Sequence, residues 1–295
     1  MISNKKSIQV VSNIIMIVIV IVCMMPLLLM LISSFTAETA LRENGYSFLP
    51  AELGLESYRY ILKNATIILR SYGITIIVTA VGTTASLLMT IGLAYTLSRP
   101  KLLGRNVLSF FVFFTMLFNG GLVPSYIMWT QTFHVKDTIW GLILPTYLLG
   151  AFYVIMMRTY FSSSIPEEII EAARIDGCSE IRILGRIVIP LSKSILASIG
   201  LLVGLGYWND WMNGLYYLLR RKDLYSIQNL LNQMLKNADY LASQNNEASA
   251  MAIGAVPNTG VRMAIAVIAL LPIIIIYPFI QKFFVKGIMI GGVKG

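Results

Sequence analysis

The chain has 295 residues, of which 57% are hydrophobic and only 13% charged, with a mean hydropathy of +0.74. Soluble domains carry about 25% charged residues, so the composition excludes a water-soluble globule and predicts an integral membrane protein. The net charge of +9 is divided among separate short segments, which excludes the single basic face of a nucleic-acid binder.

Lys5 and Lys6 precede Ile14–Ile32, a run without a charge. That run is long enough to cross about 30 Å of hydrocarbon, and it lacks the short core and small-residue cleavage site of a signal peptide, so it is expected to remain as span one. Ser33–Arg70 is polar, with Glu38, Glu43, Glu52 and Glu56. Ser71–Leu97 is expected as span two, dotted with Gly73, Ala80, Gly82, Ala85, Gly92 and Ala94, small residues that let helices approach in lipid. A short basic loop follows: Arg99, Pro100, Lys101 and Arg105. Val107–Trp129 is expected as span three, broken near its far end by Asn119-Gly120-Gly121 and Pro124. After the loop Gln131–Thr138 comes span four, Ile139–Met157, with Pro145 and Gly150.

Glu171–Pro190 is charged, patterned like helices and placed between apolar runs. Ser164-Ile165-Pro166-Glu167 has the form of a capping box with proline in the first turn. Glu167, Glu168 and Glu171 suit the positive end of the helix dipole. Gly177 offers a left-handed turn that other residues resist. Ser179 is placed to cap a second short helix carrying Arg182 and Arg186, and Pro190 to stop it. A helix–turn–helix lying in water beside the membrane is therefore expected.

Ile195–Leu219 is span five, Arg220–Arg262 a polar loop, Met263–Gln281 span six, and Lys282–Gly295 the tail. Within the loop, Ile227, Leu230, Leu231, Met234, Leu235, Ala238 and Leu241 recur at helical spacing, which predicts an amphipathic helix. It would lie on the membrane surface, cover the mouth of a pathway, or pack on the ends of the spans. No segment between spans is long enough for a second domain with its own core.

Basic residues orient the spans. With the N-terminus inside, the inner segments carry 13 Lys/Arg against 5 acids and the outer ones 10 against 9. The short loops decide the matter: Arg99–Arg105 has three basic residues and Gln131–Thr138 only Lys136. Both termini and the Glu171–Pro190 stretch then face the cytoplasm.

Polar groups inside spans are costly and are candidates for function. Span five holds Tyr207, Trp208, Asn209, Asp210, Trp211, Asn213, Tyr216 and Tyr217. Aromatic faces stack on the C–H face of a sugar ring while amides and carboxylates take its hydroxyls. An aromatic belt at the interface accounts for the same Trp and Tyr residues, but not for Asp210. Asn119, Tyr126, Trp129 and Gln131 are weaker candidates, and Gly200 and Gly204 are a helix-packing pair. Among the other residue types, His134 is the single histidine, Cys23 and Cys178 are not spaced as metal ligands, and no P-loop or catalytic set occurs. No metal site, no catalytic residue and no ATP-binding site of the P-loop kind is expected in this chain.

The stretch Glu171-Ala172-Ala173, Gly177, Ile187, Ile189-Pro190 resembles the EAA loop of ABC-importer permeases, with Ile189 where that pattern has leucine. The tail from Pro272 to Val293-Lys294-Gly295, the segment Asn119–Pro124 and the segment Tyr277–Gln281 are similar to carbohydrate permeases of the maltose type, in particular to a subgroup for complex oligosaccharides in Gram-positive bacteria.

The resemblance implies an all-α membrane protein with six transmembrane helices, both termini cytoplasmic, of the type I ABC importer permease fold. Residues 1–69 would be the N-terminal segment, first span and outer loop, 70–285 the transmembrane domain with coupling loop 164–190 and outer loop 220–262, and 286–295 the tail. It implies a second homologous permease, an ATPase dimer that binds ATP and Mg, and an extracellular solute-binding lipoprotein. The site would be the plasma membrane of a bacterium. Glu171, Ala172, Ala173, Asp176, Gly177, Ile187 and Pro190 would couple to the ATPase, and Trp208, Asn209, Asp210, Trp211, Asn213, Tyr216 and Asn119 would line the sugar path. An importer permease for another solute, such as peptides or polyamines, stays open. An ion-driven secondary transporter is the other alternative; it would need deep ionisable residues in several spans, and only Asp210 comes near.

Overall fold

A computed structural model describes residues 3–243 and 258–291. The described residues are mostly helical, with a single isolated bridge between Thr36 and Leu53. They fall into two compact units, Met1–Ile68 with Leu230–Ile273, and Leu69–Asn229 with Ile274–Gly295.

In the first unit, α1 (Ser3–Ser34) is a continuous helix whose Ile8–Val22 stretch is exposed on every side. Such a rod is stable only where its surroundings are as apolar as its side chains. The polar stretch after it folds into α2 (Glu38–Asn44) and α3 (Glu56–Lys63). Ala40, Leu41 and Ile61 are buried there with Val261 and Ile265 from the start of α15 (Asn258–Gly291). The buried carboxylate of Glu38 accepts from the N–H groups of Thr259 at 3.2 Å and Gly260 at 2.9 Å. Those donors are among the unpaired first N–H groups of the long helix, so the negative charge meets the positive end of its dipole.

The second unit is built on α4 (Ala65–Ser98), α5 (Arg105–Leu117), α8 (Ala151–Ser164) and α12 (Lys193–Trp208). Its core runs through Val78, Leu97, Val154, Met157, Phe161, Ile170, Ile183, Ile199, Val203 and Tyr207. The expected Gly200 and Gly204 pair does bring helices close: a Cβ on them would stand 3.3 Å from Leu87 and 3.5 Å from Thr83 of α4. A Cβ on Gly82 would strike the ring of Tyr207, whose hydroxyl donates to the Ile143 carbonyl at 2.8 Å.

Among the described residues, Ile8–Ser34 and Ala65–Ser98 are each long and apolar enough to cross a membrane alone. Three of the expected spans are not single rods. Span three breaks where Gly121 takes φ +88 and Asn119 Oδ1 accepts its N–H at 2.9 Å, and α5 meets α6 (Leu122–Ile127) and a π-helical turn, Met128–Thr132, at 113°. Span four is a short α7 (Trp140–Ile143), an irregular passage through Pro145 and Gly150, and then α8, because proline brings no N–H to continue α7. Span five ends as a helix at Trp208 and restarts as α13 (Met212–Tyr217). The amphipathic helix expected in the polar loop is present as α14 (Ile227–Ser243). The rest of that loop up to Pro257, and the Val293–Gly295 end of the tail, lie outside the described residues.

Candidate functional site

The charged stretch folds as an elbow. Helix α9 (Glu167–Ile175) ends at Asp176, the chain turns through Gly177 at φ +77, and α10 (Glu180–Ile183) leads into a π-helical turn, Leu184–Val188, and α11 (Ile189–Leu191). Gly177 takes the left-handed conformation that its residue type permits without a Cβ clash. The N–H of Gly177 bonds the Arg174 carbonyl at 3.0 Å and that of Cys178 the Ala173 carbonyl at 2.9 Å, so the end of α9 is closed off by its own backbone.

Three local expectations change. The capping box does not form: α8 runs through Ser164, extended Pro166 is the N-cap, and Glu167 becomes the first helical residue with no serine placed to face it. Ser179 is the N-cap of α10 but gives no side-chain bond. Pro190 does not stop the helix, because the wide π turn before it carries the chain on, with the Ile189 N–H bonded to Leu184. The chain turns instead at Ser192, where Glu180–Leu191 and Lys193–Trp208 meet at 85°.

The elbow has two faces. Ile170, Ala173, Ile183 and Val188 are buried in the core, and Ile187 is half-buried. Ala172, Asp176 and Pro190 are exposed, and so are Ile175 at 86% and Ile181 at 84%, on either side of Gly177. Glu171, expected to offer its charge outward, pairs with Lys101 of the same chain at 2.9 Å. The Lys101 ammonium holds the Glu171 carboxyl below its ordinary range. Arg174 bonds Glu180 at 2.6 Å and depresses that carboxyl likewise, with help from the Tyr95 hydroxyl.

The second candidate region is the break after α12. Asp210 is 8% exposed, and its Oδ1 accepts from the N–H groups of Met212 at 3.0 Å and Asn213 at 3.2 Å. It therefore caps α13. Asn213 is buried and takes the Thr146 hydroxyl at 2.8 Å. Ser226 Oγ donates to Asn229 Oδ1 at 2.8 Å and accepts the Asn229 N–H at 3.2 Å, a true N-cap of α14. Asn229 Nδ2 donates to the Trp211 carbonyl at 2.6 Å, and the Ile227 N–H donates to Thr75 Oγ1 at 2.9 Å. A broken helix in lipid must satisfy its freed backbone groups internally, and this cluster does so. Asn209 and Trp211 are exposed, Tyr216 is half-buried, and Trp208 is buried. Asn119 is exposed at its own break, and its amide oxygen is used there. Ser226, Asn229, Thr75 and Thr146 carry no sequence signal as functional residues.

Interrupted apolar helices whose freed backbone groups are satisfied internally, with a charged elbow beside them, are an architecture of membrane transport proteins. A family model described as the binding-protein-dependent transport system inner membrane component matches residues 86–290, and the chain belongs to that family. It is 38% identical to protein LplC of Bacillus subtilis (strain 168) over 266 residues, 90% of this chain and 88% of that one. It is 36% identical to the polygalacturonan/rhamnogalacturonan transport system permease protein YtcP of the same organism, over 90% of this chain and 91% of that one. A crystal structure of a bacterial ABC transporter involved in the import of the acidic polysaccharide alginate contains a chain of the same fold. Its TM-score is 0.80 at 30% identity, covering 95% of this chain and 98% of that one.

Proposed function

We propose that this chain is one permease subunit of an ATP-driven importer of a sugar or oligosaccharide. The substrate class is supported by the polygalacturonan/rhamnogalacturonan transport for which YtcP is named and by the alginate import of the structural neighbour. In this reading the chain crosses the plasma membrane six times with both ends in the cytoplasm, and the Bacillus relatives support a Gram-positive host. A second permease supplies the other half of the path, a solute-binding lipoprotein delivers the sugar, and an ATPase dimer binds ATP and Mg.

The observation that carries the reading is the elbow: Ile175 and Ile181, almost fully exposed, flank a turn whose geometry is fixed by Gly177. Exposed isoleucines on a polar loop are explained by a partner that covers them. Ala172, Asp176, Pro190 and the outer side of α9 complete the docking surface, and Ala173 and Ile187 hold it to the core. ATP binding closes the ATPase dimer, moves the elbow and shifts the permease towards its outward-open state, which requires ATP to bind the closed dimer more tightly. The exposed faces of Asn209, Trp211, Tyr216 and Asn119 form the sugar surface, with Trp208, Asp210 and Asn213 as the frame that shapes it.

The test is to express the chain with its neighbouring genes, purify the complex mildly, and identify the associated chains by mass spectrometry. A P-loop ATPase and a second EAA-bearing permease are expected, with ATP hydrolysis stimulated by the binding protein loaded with its oligosaccharide. A chain that leaves the column alone from a host supplying those partners would overturn the reading.

A further inference from the structure

The elbow continues in sequence from α8 and into α12, yet three of its carboxylates are held by neither. Glu167, Glu171 and Glu180 instead meet the last turn of α4 and the loop after it. Arg99, only 8% exposed, lies over the Tyr95 ring with its guanidinium carbon 4.7 Å from the centroid. Its Nη1 donates to Glu167 of α9 at 3.3 Å, and its Nε and Nη2 donate to Ser98 Oγ at 3.0 and 2.9 Å. Tyr95 donates to Glu180 of α10 at 2.5 Å, and Lys101 to Glu171 of α9 at 2.9 Å. Arg174 bridges the two elbow helices, 3.8 Å from Glu167 and 2.6 Å from Glu180. The network walls an open cavity of about 540 Å³.

We propose that Arg99 is a positioning residue that makes the elbow and α4 one rigid body, so that α4 carries nucleotide-driven motion towards the sugar path. The inference rests on the coupling role proposed above. The surface bonds alone are weak, since exposed ion pairs contribute little. Arg99 differs because it is buried, stacked and engaged through its planar fork, which lysine does not reproduce. Half-way along its length α4 has a reason to move α12 with it: Thr83 packs against Gly204, and Gly82 against Tyr207, three residues before Asp210 and the break.

The experiment uses the whole complex in proteoliposomes and measures uptake and ATP hydrolysis together. Arg99→Lys is expected to assemble and hydrolyse ATP while uptake per ATP falls about tenfold or more, the scale of one charge-assisted hydrogen bond. Exchanging the pair as Arg99→Glu with Glu167→Arg is expected to recover part of the ratio. An unchanged uptake per ATP in Arg99→Lys overturns the proposal. A second test leaves Arg99 in place and so does not depend on that variant folding. In a background with Cys23→Ser and Cys178→Ser, Lys101→Cys and Glu171→Cys are joined by a flexible bifunctional thiol reagent. Two parts of one rigid body tolerate the bridge, and uptake by the bridged chain stays at the level of the same double-cysteine chain before bridging. Uptake abolished by the bridge, and restored when it is cleaved, means that the two parts separate in the cycle and overturns the proposal. The coupling reading is scored separately by Ile175→Asp: an ATPase that stays bound to that variant sinks the docking surface whatever Arg99 does.

Discussion

Asp210 illustrates how one residue supports two readings until its neighbours are placed. A carboxylate in an apolar segment signals function because it is expensive there, and the same expense is met when it caps a helix. Its Oδ1 serves two backbone N–H groups, so Asp210→Asn, which keeps an acceptor at that place, is expected to preserve thermal stability and most uptake. Asp210→Ala removes the cap and costs about 1–2 kcal/mol, read as a lower melting temperature in detergent. Full loss of uptake in Asp210→Asn at unchanged melting temperature would instead put the charge on the substrate. The role of Asp210 was not legible in sequence because its partners, Met212 and Asn213, lie inside an unbroken apolar run, and the frame that opens a helix start there, Thr146, Ser226 and Asn229, comes from distant positions. Gly177 was legible, since a left-handed turn is written in a single residue type. Gly177→Ala forces a Cβ into that region at roughly 1–2 kcal/mol. Gly177→Pro, and Glu171→Lys with its lost partner Lys101, are expected to leave the protein inserted while uptake drops several-fold; normal uptake in both would remove the coupling role. The elbow's carboxyls also fix a pH response. Glu171 and Glu180 lie below their ordinary 4.5 in the folded chain, so the attachment they provide is complete above that value and is lost as pH falls through their lowered values. Uptake per ATP is therefore expected to stay flat from about pH 8 to 5 on the elbow's side, as far as these groups decide it. A titration step near neutrality in the wild type that Glu171→Gln and Glu180→Gln abolish would contradict the assignment.

Hydropathy at the scale of whole elements measures how long an apolar run is and says little about where it bends. The run Ile195–Leu219 is apolar enough to read as one span, yet its helix stops at Trp208 because Asp210, Asn213 and their partners offer the backbone an alternative to the helical ladder. The break at Asn119–Gly121 was visible beforehand, for there the breaker is the glycines themselves. Pro190 misled in the opposite direction: a proline signals a stop only when the turn before it is an ordinary one, and the π turn Leu184–Val188 moves the bend to Ser192. Helix contacts follow the same logic. Gly82 faces Tyr207, whose ring is held at its far end by the hydroxyl bond to Ile143 and beside it by Tyr147 at 5.2 Å. The ring has little room to yield, so Gly82→Ala is expected to overpack α4 against α12 and to destabilise by roughly 1–3 kcal/mol. Gly92→Ala on the same helix, where a Cβ meets nothing within 4 Å, serves as the control and is expected to keep the wild-type melting temperature. Equal losses in both would mean that the cost lies in the backbone of α4 and not in its packing.

The chain as a whole presents surfaces that it does not cover itself. Helix α5 buries none of its residues, and Phe110, Phe111 and Phe114 stand exposed along it. Lipid or a neighbouring subunit of equal apolarity must meet such a face. Stoichiometry follows from the elbow. On the coupling role proposed above, an ATPase dimer would be two-fold and would offer two equivalent grooves, while this chain carries the EAA pattern once. Motion that is shared evenly across the dimer needs a second elbow, so a complex with a single permease chain would leave one groove empty. Two arrangements satisfy the count: two copies of this chain, or this chain with a homologous permease. An oligosaccharide has different ends and different faces, and a path between unlike subunits can read that asymmetry where a symmetric one cannot. We therefore expect native mass spectrometry of the intact complex to show one copy of this chain, one of a second permease and two of the ATPase. Two copies of this chain with no second permease would replace the heteromeric path by a symmetric one, and would place two copies of the Asn209–Tyr216 surface opposite each other across it.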